Sequence, residues 1–267
     1  MLISLVLSIL SSIILSVSQQ DYNLEQEMEN KADFFTVDPL GYIYTVNNTK
    51  LKKIDIKTDR KQEYSNLLSG KIYSVDATDP FRTLLFYKDF NKIEFLDKNL
   101  ALIASPITLD DLGYYNVCAV CTSVNGGFWL FDQTLNQLVY INRDLNTEKK
   151  SVFLSDIINQ NIDQEQVFML EKNDYIYLGI REEGILLFDH YGTYIKTFPI
   201  KNISRFQVNN GTISYFNNGN LYFYNTNNYT EDYLKLPEIN IKQVEIENGK
   251  LYIQGERKLY IYQQNKL

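Results

Sequence analysis

The sequence predicts an all-β protein: six four-stranded antiparallel blades closed into a ring, a six-bladed β-propeller whose last blade is completed by the N-terminal strand. Three observations predict it. A short apolar strand, usually followed by Asp or Asn, recurs six times. Gly and Asn pairs punctuate the strand-like runs. The composition favours strands, with 21 Tyr and 15 Phe against 5 Pro, because aromatic side chains suit a pleated, half-buried surface.

The recurring strand reads Lys53-Ile54-Asp55-Ile56, Lys92-Ile93-Glu94-Phe95 and Gln137-Leu138-Val139-Tyr140 in the first three units. It then reads Gly184-Ile185-Leu186-Leu187, Asn220-Leu221-Tyr222-Phe223 and Lys258-Leu259-Tyr260-Ile261. Anchored on Ile54, Ile93, Leu138, Ile185, Leu221 and Leu259, the spacings are 39, 45, 47, 36 and 38 residues. A second run lies about ten residues earlier in each unit, for example Leu84-Leu85-Phe86 and Phe128-Trp129-Leu130. Pairs such as Gly126-Gly127, Asn210-Gly211 and Asn248-Gly249 introduce several of these runs. Such pairs suit tight hairpins, because both residue types tolerate positive φ.

A further run precedes each pair: residues 34–37, 72–75, 117–120, 167–170, 205–208 and 243–246. A more polar run follows most units, at 62–64, 101–104, 151–153, 194–198 and 232–236. Four strands repeating about every 40 residues form the blade signature of a propeller. The last unit lacks its outer strand. The segment around Gln20 to Leu24 is the natural donor, since both chain ends in one blade leave no exposed sheet edge. The alternative is an open ring with a frayed N-terminus.

Leu2 to Val17 holds only Leu, Ile, Val and Ser, and ends in the small residues Ser16-Val17-Ser18. Residues 1–18 therefore read as a secretory signal peptide cut before Gln19, leaving 19–267 as a single propeller with no membrane span. The segment before the apolar run carries no Lys or Arg, which keeps an uncleaved anchor as the other reading. At roughly 16 residues the run is short for a bilayer span of about 20.

A net charge of −7 disfavours nucleic acid, because an acidic surface repels phosphates. Cys118 and Cys121 fall inside a strand, so their Cα atoms should lie about 10 Å apart, with side chains on opposite faces. They read as buried apolar residues. His190, the one histidine, follows Asp189 in a turn whose equivalents hold Lys98, Arg143 and Thr226. It reads as a turn residue rather than a general base. No Gly-x-Ser-x-Gly elbow accompanies it. Asp110-Asp111 and the Asp76/Asp79 pair could attract calcium, but neither matches an EF-hand loop. No cofactor motif is present.

Two units are stretched, at Ser105–Tyr115 and Leu154–Glu165. The second insert could form one or two helical turns. Long loops on a rigid scaffold often carry function, so Asp110, Asp111, Tyr114, Tyr115, Asp156 and Asn159 are the candidate interaction residues.

The runs Ile72-Tyr73-Ser74-Val75-Asp76, Leu84 to Asn91, Pro106 to Gly113, Gly127 to Asp132 and Gly184 to Asp189 with Gly192-Thr193-Tyr194 carry a resemblance. The chain resembles six-bladed propellers of the NHL/TolB-like superfamily and, more narrowly, uncharacterised exported propellers of Bacteroidota. The resemblance implies fold and envelope location, and makes the Asn-x-Ser/Thr sites at Asn47, Asn202, Asn210 and Asn228 silent. It transfers no active site. The expected function is a non-enzymatic binding scaffold with a protein partner in the bacterial envelope, periplasmic or outer-membrane associated. The alternative is a glycan- or peptide-acting enzyme, or a small-ligand sensor, using the channel mouth.

Overall fold

The computed structural model describes residues 22–155, 157–158, 167–237 and 240–264. The expected signal peptide lies outside them. Strand β1 (Tyr22–Glu29) comes first in the chain but belongs to the last blade. Blade one is β2 (Phe34–Val37), β3 (Ile43–Asn47), β4 (Lys50–Asp55) and β5 (Arg60–Ser65). Blade two is β6 (Ser74–Asp76), β7 (Thr83–Tyr87), β8 (Lys92–Leu96) and β9 (Ile107–Thr108). Blade three is β10 (Val117–Thr122), β11 (Phe128–Asp132), β12 (Gln137–Ile141) and β13 (Thr147–Lys150). Blade four is β14 (Val167–Lys172), β15 (Tyr175–Ile180), β16 (Gly184–Asp189) and β17 (Tyr194–Phe198). Blade five is β18 (Phe206–Asn209), β19 (Thr212–Asn217), β20 (Asn220–Asn225) and β21 (Glu231–Lys235). Blade six is β22 (Gln243–Glu247), β23 (Lys250–Gln254) and β24 (Lys258–Gln264), with β1 outermost.

The middle strands are apolar on both faces because both are covered. All five residues of β7 are buried. Leu84 and Phe86 pack toward blade three, while Leu85 and Tyr87 pack toward blade one, as the two-residue period of a strand requires. The buried apolar residues fall into six clusters, one for each contact between successive blades. The last of these contacts joins Tyr252, Leu259 and Ile261 of blade six to Phe35, Ile43 and Ile54 of blade one.

The Asp or Asn after each repeated strand has a physical reason. Asp55, Asp97, Asn142, Asp189 and Asn225 each accept backbone N–H groups two or more residues ahead. These side chains close the turn into the outer strand, as Asx turns do. At Asn210-Gly211 φ is 47° and 74°, and at Asn248-Gly249 it is 52° and 71°. Two successive positive values suit a hairpin of the primed type.

Two outer strands depart from expectation. That of blade two is Ile107–Thr108, not 101–104, where an isolated bridge joins Leu96 to Leu102. That of blade three is Thr147–Lys150, one turn before 151–153. Outer strands expose one face and are largely polar, so no hydrophobic alternation marks their register. At the start of the second insert, the Ile157 and Ile158 N–H groups both donate to Leu154 O in a turn; most of that insert lies outside the described residues.

Ring closure is as expected. β1 pairs antiparallel with β24, from Tyr22 opposite Gln264 to Glu29 opposite Lys258, with an irregularity between Leu24 and Gln26. Ion pairs Lys250–Glu25 at 2.5 Å and Lys258–Glu27 at 2.7 Å lie along this seam. Deleting residues 22–29 should expose the edge of β24. At roughly 1 kcal/mol per ladder hydrogen bond and roughly 2–4 °C per kcal/mol for this chain size, the melting temperature should fall by about 10 °C or more in a circular dichroism scan. Lys258→Ala should leave it nearly unchanged, because an exposed ion pair is screened by water.

Candidate functional site

In each blade, links from first to second and third to fourth strand leave at one end. Links from second to third strand, and from blade to blade, leave at the other, here the upper face. The link after β9 and the start of the second insert lie there. Asp110 and Asp111 sit exposed in a 3-10 turn, Leu109–Leu112, where Asp110 accepts the Asn91 amide. Tyr114 is not a surface residue: it is 5% exposed, packs between blades two and three, and its hydroxyl lies 2.7 Å from Thr147 Oγ1. The ring is a packing element, because a half-apolar residue in a long loop serves the core when the loop folds back. Tyr115 beside it is 74% exposed. Asp156 and Asn159 lie outside the described residues.

Tyr115 has company that the sequence did not reveal. Leu67, Leu68, Phe90, Leu135, Val152 and Phe153 are also exposed on this face. Their loops touch in series. A β-carbon on Gly70 would meet the Phe90 ring at 2.6 Å, which binds the loop after β5 to the one after β7. Asn91 donates to Tyr114 O. Gln133 N donates to Asn116 O at 3.0 Å, and Leu154 N to Asn136 O at 2.9 Å. The result is an arc of apolar side chains running from the blade one–two link to the blade three–four link. Scattered surface apolar residues are normal; a set of them on linked loops makes this face a candidate interaction surface.

The inner strands surround a channel with a cavity of about 270 Å³. Its walls are stitched by side chains that reach into the next blade's backbone. Gln207 Nε2 donates to Ile246 O at 3.1 Å and its Oε1 accepts Ile246 N at 2.7 Å. Gln243 treats Phe35 the same way, at 2.7 and 3.2 Å. Glu245 Oε2 accepts Val37 N at 2.9 Å, and its Oε1 accepts Gln243 Nε2 at 3.0 Å. Asp76 accepts both Thr122 N and Thr122 Oγ1 at 2.7 Å. Glu171 accepts Trp129 Nε1 at 2.8 Å.

Two charges line this channel, Arg205 near its upper mouth and Glu245 midway along β22. Arg205, just ahead of β18, places its guanidinium 4.5 Å from the Phe34 ring and 5.3 Å from the Phe168 ring. Loss of water lowers its pKa. Burial pushes Glu245 up to about 7, opposed in part by the Arg205 charge. The sequence reading missed both. The available signal was polar residues alternating with apolar ones, Arg205 and Gln207, then Gln243, Glu245 and Glu247, in strands expected to be apolar.

The other candidates resolve as structure. Cys118 and Cys121 are buried and unpaired, and burial raises Cys118 to about 12. Both nevertheless join the same cluster between blades three and four, against the expectation of opposite faces. A register shift between Val117 and Ala119 adds one residue and resets the alternation. His190 sits in the turn between β16 and β17 on the lower face, its ring 3.8 Å from that of Tyr191. Asp79 accepts Phe81 N at 2.9 Å. Among the described residues, no three His, Cys, Asp or Glu side chains are grouped to hold a metal ion.

No protein-family model matches the sequence, and a search of curated proteins finds no relative. Solved structures share its fold. Virginiamycin B lyase from Staphylococcus aureus aligns with TM-score 0.61 at 12% identity, over 92% of this chain and 100% of that one. The Pan2 WD40 domain of Neurospora crassa aligns with TM-score 0.60 at 8% identity, over 93% and 97%. A protein of unknown function from Bacteroides caccae aligns with TM-score 0.56 at 11% identity, over 85% and 81%. The likeness is one of backbone: the chain is a propeller, and its chemistry must be read from its own residues.

Glu245 is the sharpest test of that chemistry. Its folded pKa near 7 exceeds the ordinary 4.5. Stability from the neutral acid is then fully present below pH 4.5 and is lost as pH rises through 7. The loss is roughly 3 kcal/mol. Urea melts of the wild type between pH 4.5 and 8 should show this decline, and Glu245→Gln should flatten it.

Proposed function

We propose that this protein is a non-enzymatic binding scaffold of the bacterial cell envelope, held in a larger protein complex in the periplasm or at the outer membrane. The apolar arc on the upper face carries the reading. Leu68 is 85% exposed and Phe153 60%, on loops braced by backbone hydrogen bonds and so ready to bind without reordering. The apolar run from Leu2 to Val17 supports export. Among the described residues no helix is long and apolar enough to cross a membrane, and the −7 charge disfavours nucleic acid as partner.

A second reading, an enzyme on glycan or peptide or a small-ligand sensor at the channel mouth, draws on Arg205 and Glu245. Weighing against catalysis, the oxygens of Asp76, Glu171 and Glu245 accept hydrogen bonds from protein donors. A carboxylate so held orients a wall rather than a substrate.

Tagged protein drawn from envelopes in mild detergent should retain one partner in near-equal amount. The double variant Leu68→Asp/Phe153→Asp, at positions already facing water, should keep the melting temperature and lose that partner. Retention of the partner by the double variant, or a wild type that comes through alone, would reject the docking arc.

A further inference from the structure

We propose that the upper part of the central channel is a binding site for a small organic monocarboxylate, gripped by Arg205. The inference is independent of the scaffold reading, since the arc lies outside the channel.

Arg205 reaches from blade five to the rings of Phe34 in blade one and Phe168 in blade four. It therefore stands over the ring axis, not against its own blade. Among the described residues it makes no ion pair; the ion pairs present lie on the outer surface of blades one and six. A guanidinium drawn from water with no carboxylate in ion-pair contact is costly; the aromatic faces and the more distant charge of Glu245 return only part of the loss. Arg205 lines the channel cavity, so a ligand entering there can reach it.

The channel's own acids are not free to do so. Asp76 and Glu171 hold donors of blade three, and Glu245 holds Val37 N and Gln243. Turning any of them toward Arg205 would strand a buried N–H, which costs as much as the new bond returns. Lys172 and Glu247, the other charges in the wall, end their strands at the far mouth.

A guanidinium is a planar fork of donors matched to the two oxygens of a carboxylate. The flanking phenyl rings favour an apolar body behind it over a bare inorganic anion. Glu245, itself capable of negative charge, disfavours a second charge on the ligand. A cavity of about 270 Å³ is far larger than a single water needs and has room for a small organic acid.

Isothermal titration of the full chain with acetate, butyrate, benzoate and phenylacetate tests the site. Phenylacetate or benzoate should bind, and phenylacetamide, the same shape without charge, at least tenfold more weakly. Arg205→Gln should weaken the acid tenfold or more while holding or raising the melting temperature, because it removes a partly desolvated charge that makes no ion pair. Three results would each overturn the proposal: no binding by any of the acids, equal binding of acid and amide, or preference for inorganic phosphate. An Arg205→Gln chain that melts early makes Arg205 a structural residue and overturns it as well.

Discussion

A four-stranded blade has two apolar faces and can cover neither alone. Everything else in this molecule depends on that constraint. Each blade must lie between two others, and a row of blades satisfies this only by closing. The six apolar clusters between successive blades are that solution. The cluster between blades six and one then depends on a strand from the other end of the chain. β1 supplies no large share of the core, since most of its residues are exposed. Its contribution is backbone: it turns the edge of β24 into an interior pairing and ties the two chain ends into one sheet.

Closure also decides what happens at the axis. Six inner strands converge with their outward edges unpaired by any further strand, so their N–H and C=O groups need partners of another kind. Gln207, Gln243, Glu245 and Asp76 supply them, each reaching into the adjoining blade. Polar side chains in the innermost strands are thus a consequence of the architecture. The same crowding raises the pKa of Glu245 and lowers that of Arg205. Both shifts come from loss of water, and the axis is where water is scarcest.

Structure and function separate along these lines. Charged groups with protein partners hold the ring. Arg205, held by two aromatic faces and the more distant charge of Glu245 but by no ion pair, is the group we assign to a ligand. On the upper rim, the loops that link blades are tied to each other, and this rigidity presents Tyr115, Leu68 and Phe153 to solvent as a fixed surface. A propeller leaves loops free to vary on a scaffold that does not, which is why similar backbones at about 10% identity serve different ends.

The sequence by itself determined blade number, the inner and middle strands, the turn chemistry and the closing strand. These rest on local, repeated physics: two-residue alternation, positive φ at Asn-Gly, and Asp or Asn accepting the N–H groups of its own turn. Tertiary structure alone decided the outer strands of blades two and three, whose polar residues carry no periodic mark. It decided the faces of Cys118 and Cys121, because one extra residue at Val117–Ala119 inverts the alternation without changing the composition. It buried Tyr114, which sequence position had placed on a loop surface. The apolar arc and the Arg205–Glu245 pair join residues from different blades. Their proximity exists only once the ring has closed, and a linear pattern has no term for it.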